Sequence, residues 1–282
     1  MGNRFTAPKG SVPATSYEQY CAFMDKAMEA FANPITNSYL SAVEARRAID
    51  ERRMFLAQGN RAACVLLAQP GMYQCLYVAD GDGEPWLLRQ SPDAPVVIDE
   101  ICANNAPLSP EKAALLDRNG FRFLRKTLRL VRRLEAPEEG ADLTDVELAK
   151  RADIPALYAL LEENFDPCAD RFPAEDELAE LICQGYVHVI RSGERIAAAN
   201  ISLPQGRMVH HHWLAVGRAH RNNAFLVVRI CEQRERDAYR HGHMSAMIWV
   251  DAENDKLLKC SEYIGYRLDG RVMYTYTLHK GT

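Results

Sequence analysis

Apolar positions along this chain follow a helical period, then a strand period, and the whole cycle occurs twice. SYEQYCAFMDKAMEAF (residues 16–31) and SYLSAVEARRAIDERR (38–53) space their apolar residues for two helices. From Met54, MFLAQGNRAACVLLAQPGMYQCLYVA reads as two strands joined by a Gln-Gly-Asn turn, with a third after Pro70-Gly71. VVIDEICANN, a helix from near Pro110 and a closing Gly120-Phe121 follow.

The second half repeats this order. Asp153 is placed to cap a helix over IPALYALLEENF, and PAEDELAELICQG is the next helix, stopped by Gly185. YVHVIRSGERIAAANISLPQGRMVHHHWLAV, from Tyr186, again gives a hairpin and a third strand, this one after Pro204-Gln205-Gly206. Then come a basic turn, a long helix (AFLVVRICEQRERDAYRHG), a strand (HMSAMIWVDAEN) and a short helix ending at Gly265-Tyr266. Between the third strand and VVIDEI the first copy has only DGDGEPWLLRQSPDAP, so the basic turn and long helix are expected to be missing there. The expected fold class is mixed α/β (α+β): two lobes, each a mainly antiparallel sheet flanked by helices. The boundary is placed in EAPEEGADL (135–143), which divides the chain into 1–135 and 136–282.

Chemistry concentrates where the third strand of the second half runs into its long helix. A strand that opens through a polar turn into a helix presents backbone N–H groups and a positive dipole end, an arrangement suited to a diphosphate. Arg218, Arg221 and Arg229 lie in or just after that turn and add charge of the right sign.

This segment resembles the GNAT acyltransferase superfamily. The family pattern is a strand ending in valine, an Arg/Gln-x-x-Gly-x-Gly/Ala loop five positions later, and then a strand leading into Asn-x₁₀-Gly-Phe. Here Val216 is followed by Arg221-Asn222-Asn223-Ala224-Phe225-Leu226, and Asn254 by Gly265-Tyr266. Ala224 and Leu226 stand where the family has small glycines, and Asn222 and Asn223 tolerate left-handed conformations. The likeness covers about Val146 to the end. The whole chain is similar in layout to tandem GNAT proteins, with the first lobe a degenerate copy that buttresses the second.

The resemblance implies acetyl-CoA as acyl donor, its diphosphate on residues 221–226 and its pantetheine arm on the backbone of Leu214, Ala215 and Val216. It implies direct attack of a small-molecule or peptide amine on the thioester. Asn254 either bonds the pantetheine arm or caps the helix after it. His210 occupies a position where family members carry a catalytic Glu. By strand alternation it shares a face with His212, Leu214 and Val216, with His211 and Trp213 opposite. A histidine there is expected to titrate near neutrality and act as base. The family's leaving-group acid, a Tyr four residues before the Gly, is replaced by Ser261. Tyr263 is rotated about 200° from that face. Ser261 working through water, Tyr266, or no dedicated acid remain open.

Composition narrows the setting. Hydrophobic residues make up 48% and charged residues 26% of 282 positions, values of a soluble globular chain. A net charge of −4 argues against nucleic acid as partner, including charged tRNA as acyl donor. No apolar window approaches a membrane span, and residues 1–16 have no apolar signal core. Eight cysteines scattered without metal spacing read as buried reduced thiols, so a cytoplasmic protein without a metal site is expected. Cys231 falls on the apolar face of the long helix, and Asp166 to Glu180 form an acidic stretch that either draws a cationic amine or is a solvated helix start. The last strand, RVMYTYTL, can pair within its lobe, across the lobes or with a second subunit in a homodimer. A catalytically inactive GNAT-like binding or regulatory protein is the alternative reading.

Overall fold

The structure is a computed structural model that describes residues 7–31, 33–38, 40–59, 61–80, 94–136, 143–167 and 170–278. The segment 81–93 and most of the expected boundary at 135–143 lie outside them. The chain forms two compact units. Unit 1 holds Met1–Arg125, Pro167–Arg171 and Met273–Thr282; unit 2 holds Lys126–Asp166 and Phe172–Val272.

In unit 1 the elements are β1 (Ser11–Pro13), α1 (Tyr17–Ala30), β2 (Pro34–Thr36), α2 (Ala42–Asp50), β3 (Met54–Gln58), β4 (Ala62–Gln69), β5 (Met72–Asp80), β6 (Val96–Cys102) and α3 (Pro110–Arg118). Both expected helices open on serine caps. Ser16 Oγ accepts from Gln19 N, and Ser41 forms a reciprocal capping box with Glu44. The strands run β1-β3-β4-β5-β6, with β2 on β5. Every residue of β4 is buried, because helices cover one face and a second apolar cluster around Phe55, Leu66, Tyr77 and Leu116 fills the other.

In unit 2 the elements are β7 (Arg122–Arg133), whose residues from 126 belong here, β8 (Val146–Leu148), α4 (Ile154–Asn164), α5 (Glu175–Cys183), β9 (Val187–Ser192) and β10 (Arg195–Gln205). They continue as β11 (Met208–Val216), α6 (Ala224–Arg240), β12 (Ser245–Asp251), α7 (Asp255–Tyr263) and β13 (Arg267–Leu278), whose residues from 273 belong to unit 1. The strand order is β7-β12-β11-β10-β9-β8. Among the described pairings of unit 2, only that of β11 with β12 is parallel. α4 and α5 cover one face over Trp213 and Ala215, while α6 covers the other over Val209, Ile248 and Val250.

Asp153 does precede α4, but its carboxylate accepts from Lys150 N (2.7 Å) and Arg191 rather than from the helix, so it makes no capping bond. Gly120, Gly185 and Gly265 close α3, α5 and α7 with positive φ, as expected of glycine after a helix. Of the seven described cysteines, all free, Cys64, Cys75 and Cys231 are buried; Cys183 is exposed and the rest are half-buried. Among the described residues no helix is long and apolar enough to cross a membrane.

Candidate active site

β11 is the strand that builds the site. Along one edge it pairs with β10 as far as Val216. Along the other it meets β12 for three residues, Met208 to His210 opposite Ser245 to Met247, and then the strands part. The parting coincides with a bulge. On β10, Ile201 faces Trp213 and Ser202 faces His211, which leaves His212 as the extra residue.

That extra residue resets the alternation. Val209, Leu214 and Val216 pack on the α6 side, and His211 reaches Asn200 and Glu235 there; Trp213 and Ala215 pack on the α4 side. The expected grouping of His210 and His212 with Leu214 and Val216 therefore fails: it is His211 that shares their face. His210 and His212 instead contact each other, with Nδ1 atoms 3.3 Å apart and ring centroids 4.6 Å apart.

Into the gap beside Leu214 opens a cavity of volume ≈ 970 Å³. Leu214 and Val216 form one wall, residues 221–225 with Val227 and Val228 a second, and Asn254, Lys256, Leu257, Lys259, Cys260 and Tyr263 a third; Asn164 completes it. Most of the residues expected to bind a cofactor meet here: Leu214, Val216, Arg221, Asn222, Asn223, Ala224, Phe225 and Asn254. Ala215 and Leu226 do not line it; both are buried in apolar clusters, as alternation on a strand and the inward face of α6 require. Leu226 therefore does not plug the helix end. Phe225, 72% exposed, forms part of the rim.

The start of α6 is partly self-satisfied. Asn223 caps it: its Oδ1 accepts from Phe225 N (3.2 Å) and its backbone oxygen from Leu226 N (3.2 Å). Charge at the cavity comes from Arg221, Lys256 and Lys259, and none of the lining residues is Asp or Glu. Arg221 is steadied by donating from Nη2 to Glu163 O (2.9 Å). The other two arginines of the turn are engaged elsewhere. Arg218 pairs with Glu163, whose carboxylate also accepts its backbone N–H, and Arg229 pairs with Asp145 through Nε at 3.0 Å. Asn254 caps α7, accepting from Leu257 N (3.1 Å), and still borders the cavity.

His210 is buried, and burial, together with His211 and Arg129 nearby, pushes its pKa down to about 3. It is neutral at pH 7 and does not titrate near neutrality. His212, half-buried, is the more accessible of the pair. Ser261 is buried, 2% exposed, and lies off the cavity. Tyr266 is buried as well: its hydroxyl donates to Glu235 (2.6 Å), and burial and that carboxylate raise its pKa. Tyr263, 80% exposed, borders the cavity. The half-turn between Ser261 and Tyr263 is real, but α7 turns the Tyr263 side to the gap. Lys256, Lys259 and Cys260 escaped sequence reasoning, and Tyr263 was expected to face away, though their i, i+3/i+4, i+7 spacing marks one helix face. Cys231 is buried among apolar side chains, which raises its thiol pKa well above the usual range.

No protein-family model and no curated protein matches this sequence. Solved structures do. A GCN5-related N-acetyltransferase from Sphaerobacter thermophilus aligns over 97% of this chain and 96% of its own, with TM-score 0.56 at 15% identity. A tandem GNAT protein from the clavulanic acid biosynthesis pathway aligns over 96% and 98%, with TM-score 0.54 at 11% identity. A putative GNAT-family acetyltransferase from Novosphingobium aromaticivorans aligns over 78% and 89%, with TM-score 0.51 at 18% identity. The chain has the fold of the GCN5-related N-acetyltransferases.

Proposed function

We propose that this protein is an acyl-CoA-dependent N-acyltransferase that moves an acetyl group from acetyl-CoA to the amine of a small molecule, with unit 2 as the catalytic unit. The parted β11–β12 edge opening on a cation-lined cavity carries this reading. An extended amide-bearing arm fits the free edge of Leu214 to Val216, and its diphosphate and ribose phosphate fit Arg221, Lys256 and Lys259. Among the described residues, no carboxylate lines the walls to oppose those anions.

The reaction needs an amine held against the thioester carbonyl, an acceptor for the amine's proton, and a departing thiolate. The new C–N bond forms as the C–S bond breaks. His212, on the bulge where the strands part but not itself lining the cavity, is assigned the proton-accepting role through water. His210, neutral and in contact with it, orients its ring. Tyr263, at the cavity wall, is assigned the proton for the thiolate in place of Ser261.

Calorimetric titration with acetyl-CoA and CoA tests the donor, and release of free thiol in the presence of an amine panel tests the transfer. Replacing Arg221 or Lys259 by alanine removes a charge-assisted contact of about 1.5–3 kcal/mol, so each variant binds roughly tenfold or more weakly. An absence of any binding at millimolar acetyl-CoA overturns the assignment.

A further inference from the structure

Unit 1 contains the same parted strand edge as unit 2, but there the gap is taken. One edge of β5 is paired with β4 from Met72 to Ala79. On its other edge β6 pairs in parallel at Tyr73 and Gln74 opposite Val96 and Val97, just as β12 pairs briefly with β11. Beyond that point β5 is met by β2: Thr36 lies opposite Val78, Ile35 opposite Ala79 and Pro34 opposite Asp80.

Asn37 fills the space between. Its Nδ2 donates to Cys75 O on β5 (3.1 Å) and to Asp99 O on β6 (3.2 Å), while its Oδ1 accepts from Tyr77 N (2.8 Å). One buried carboxamide thus bridges the two parted strands and satisfies three backbone groups. Thr36 adds a bond from Oγ1 to Tyr77 O (2.6 Å). The segment is also held from outside. Lys112 on α3 donates to Thr36 O (2.9 Å) and to Glu100 on β6, which in turn accepts from the Tyr77 hydroxyl. The buried Glu100 has its pKa raised by desolvation, so the lysine contact is what keeps its charge compensated.

We infer that unit 1 retains a ligand cleft of the kind proposed for unit 2 and that residues 34–37 of the chain occupy it as a built-in substitute ligand. A backbone edge that a thioester's amide arm would use is spent on Asn37 and Thr36. Unpaired buried backbone groups are costly, so the chain's own segment is the cheaper partner, with no association entropy to lose. The protein therefore binds one acyl-CoA per chain, in unit 2. That stoichiometry rests on the proposed donor, whereas the occupancy of the cleft stands apart from it.

The two parts are tested separately. Amide hydrogen exchange followed residue by residue reads the occupancy: the Tyr77 amide exchanges at a protected, strand-like rate in the intact protein. Asn37→Ala speeds Tyr77 exchange at least tenfold and leaves the β11 amides unchanged. Thr36→Val, which keeps shape and loses only the hydroxyl, gives a smaller acceleration should the Asn37 variant fold poorly. Calorimetry with acetyl-CoA reads the stoichiometry, one equivalent per chain. An unprotected Tyr77 amide in the intact protein, exchange unaffected by both substitutions, or two equivalents of acetyl-CoA overturns the inference. Absence of any acetyl-CoA binding removes the proposed donor instead and leaves the exchange result to decide this one.

Discussion

His210 illustrates how burial rewrites the chemistry of a side chain. Free histidine gains its proton near pH 6.5, but here the charged form is disfavoured down to about pH 3. The unfolded chain therefore takes up a proton that the folded chain refuses as pH falls from about 6.5, and stability drops across that window. One such group removes about 1.4 kcal/mol per pH unit. His188 and His243 are lowered too, again chiefly by burial, so the whole decline is steeper than one histidine gives. In urea titrations between pH 6 and 4, His210→Asn is expected to lose stability with falling pH less steeply than the parent, by roughly that amount per unit. Equal slopes would mean that His210 is solvated and free to titrate. This outcome was not legible in the triple histidine, because burial depends on which strands flank β11. Arg221 and Asn254 were legible, since a strand, a turn and a helix start in immediate succession fix their placement whatever packs around them. Tyr263 and Lys259 were not, because the side of α7 that meets the gap is set by packing against α6.

At the scale of elements, the bulge at His212 decides what the strand can offer. Removing His212 joins His211 directly to Trp213, and those two already oppose Ser202 and Ile201, neighbours on β10. Every other side chain keeps its face, so the strand straightens without exposing its core. The expected result for the deletion is a protein that melts as cooperatively as the parent yet binds acetyl-CoA at least tenfold more weakly. A deletion variant with full affinity would show that the parting of β11 from β12 does not need the bulge. Periodicity revealed the long strands and helices because each repeats its pattern several times. β2 escaped because three residues carry no period; what identifies it is the edge of β5, which lies 42 or more residues downstream in its pairings. The cavity beside β11 lies where the sequence drew attention, whereas the pairing of residues 34–36 with β5 could not be read from it.

On the scale of the whole chain, the compact units do not follow a single cut. Residues 126–133 lie in unit 2, where Thr127 to Arg133 pair with β12, and Met273–Thr282 lie in unit 1, where Thr275 Oγ1 donates to Asp99 Oδ1 (2.7 Å). The division at 135 inferred from composition would hand each fragment the wrong closing strand. Fragment 136–282 lacks the antiparallel partner of β12 and is expected to aggregate or remain unfolded by circular dichroism. Fragment 126–272 keeps that partner and is expected to retain more ordered structure. If 136–282 alone gives a cooperative melt, unit 2 does not depend on residues 126–133. Truncation after Val272 should instead strip protection from the amides of β6, in unit 1, while those of β10 hold.

The bond from Thr275 to Asp99 spans 176 positions. During translation, Asp99 leaves the ribosome long before its partner is made, so unit 1 cannot reach its final form until residue 278 has emerged. Contacts this distant in sequence slow folding. A growing chain must hold its first half unfinished through the synthesis of its second, and chaperone demand is expected to peak in that interval.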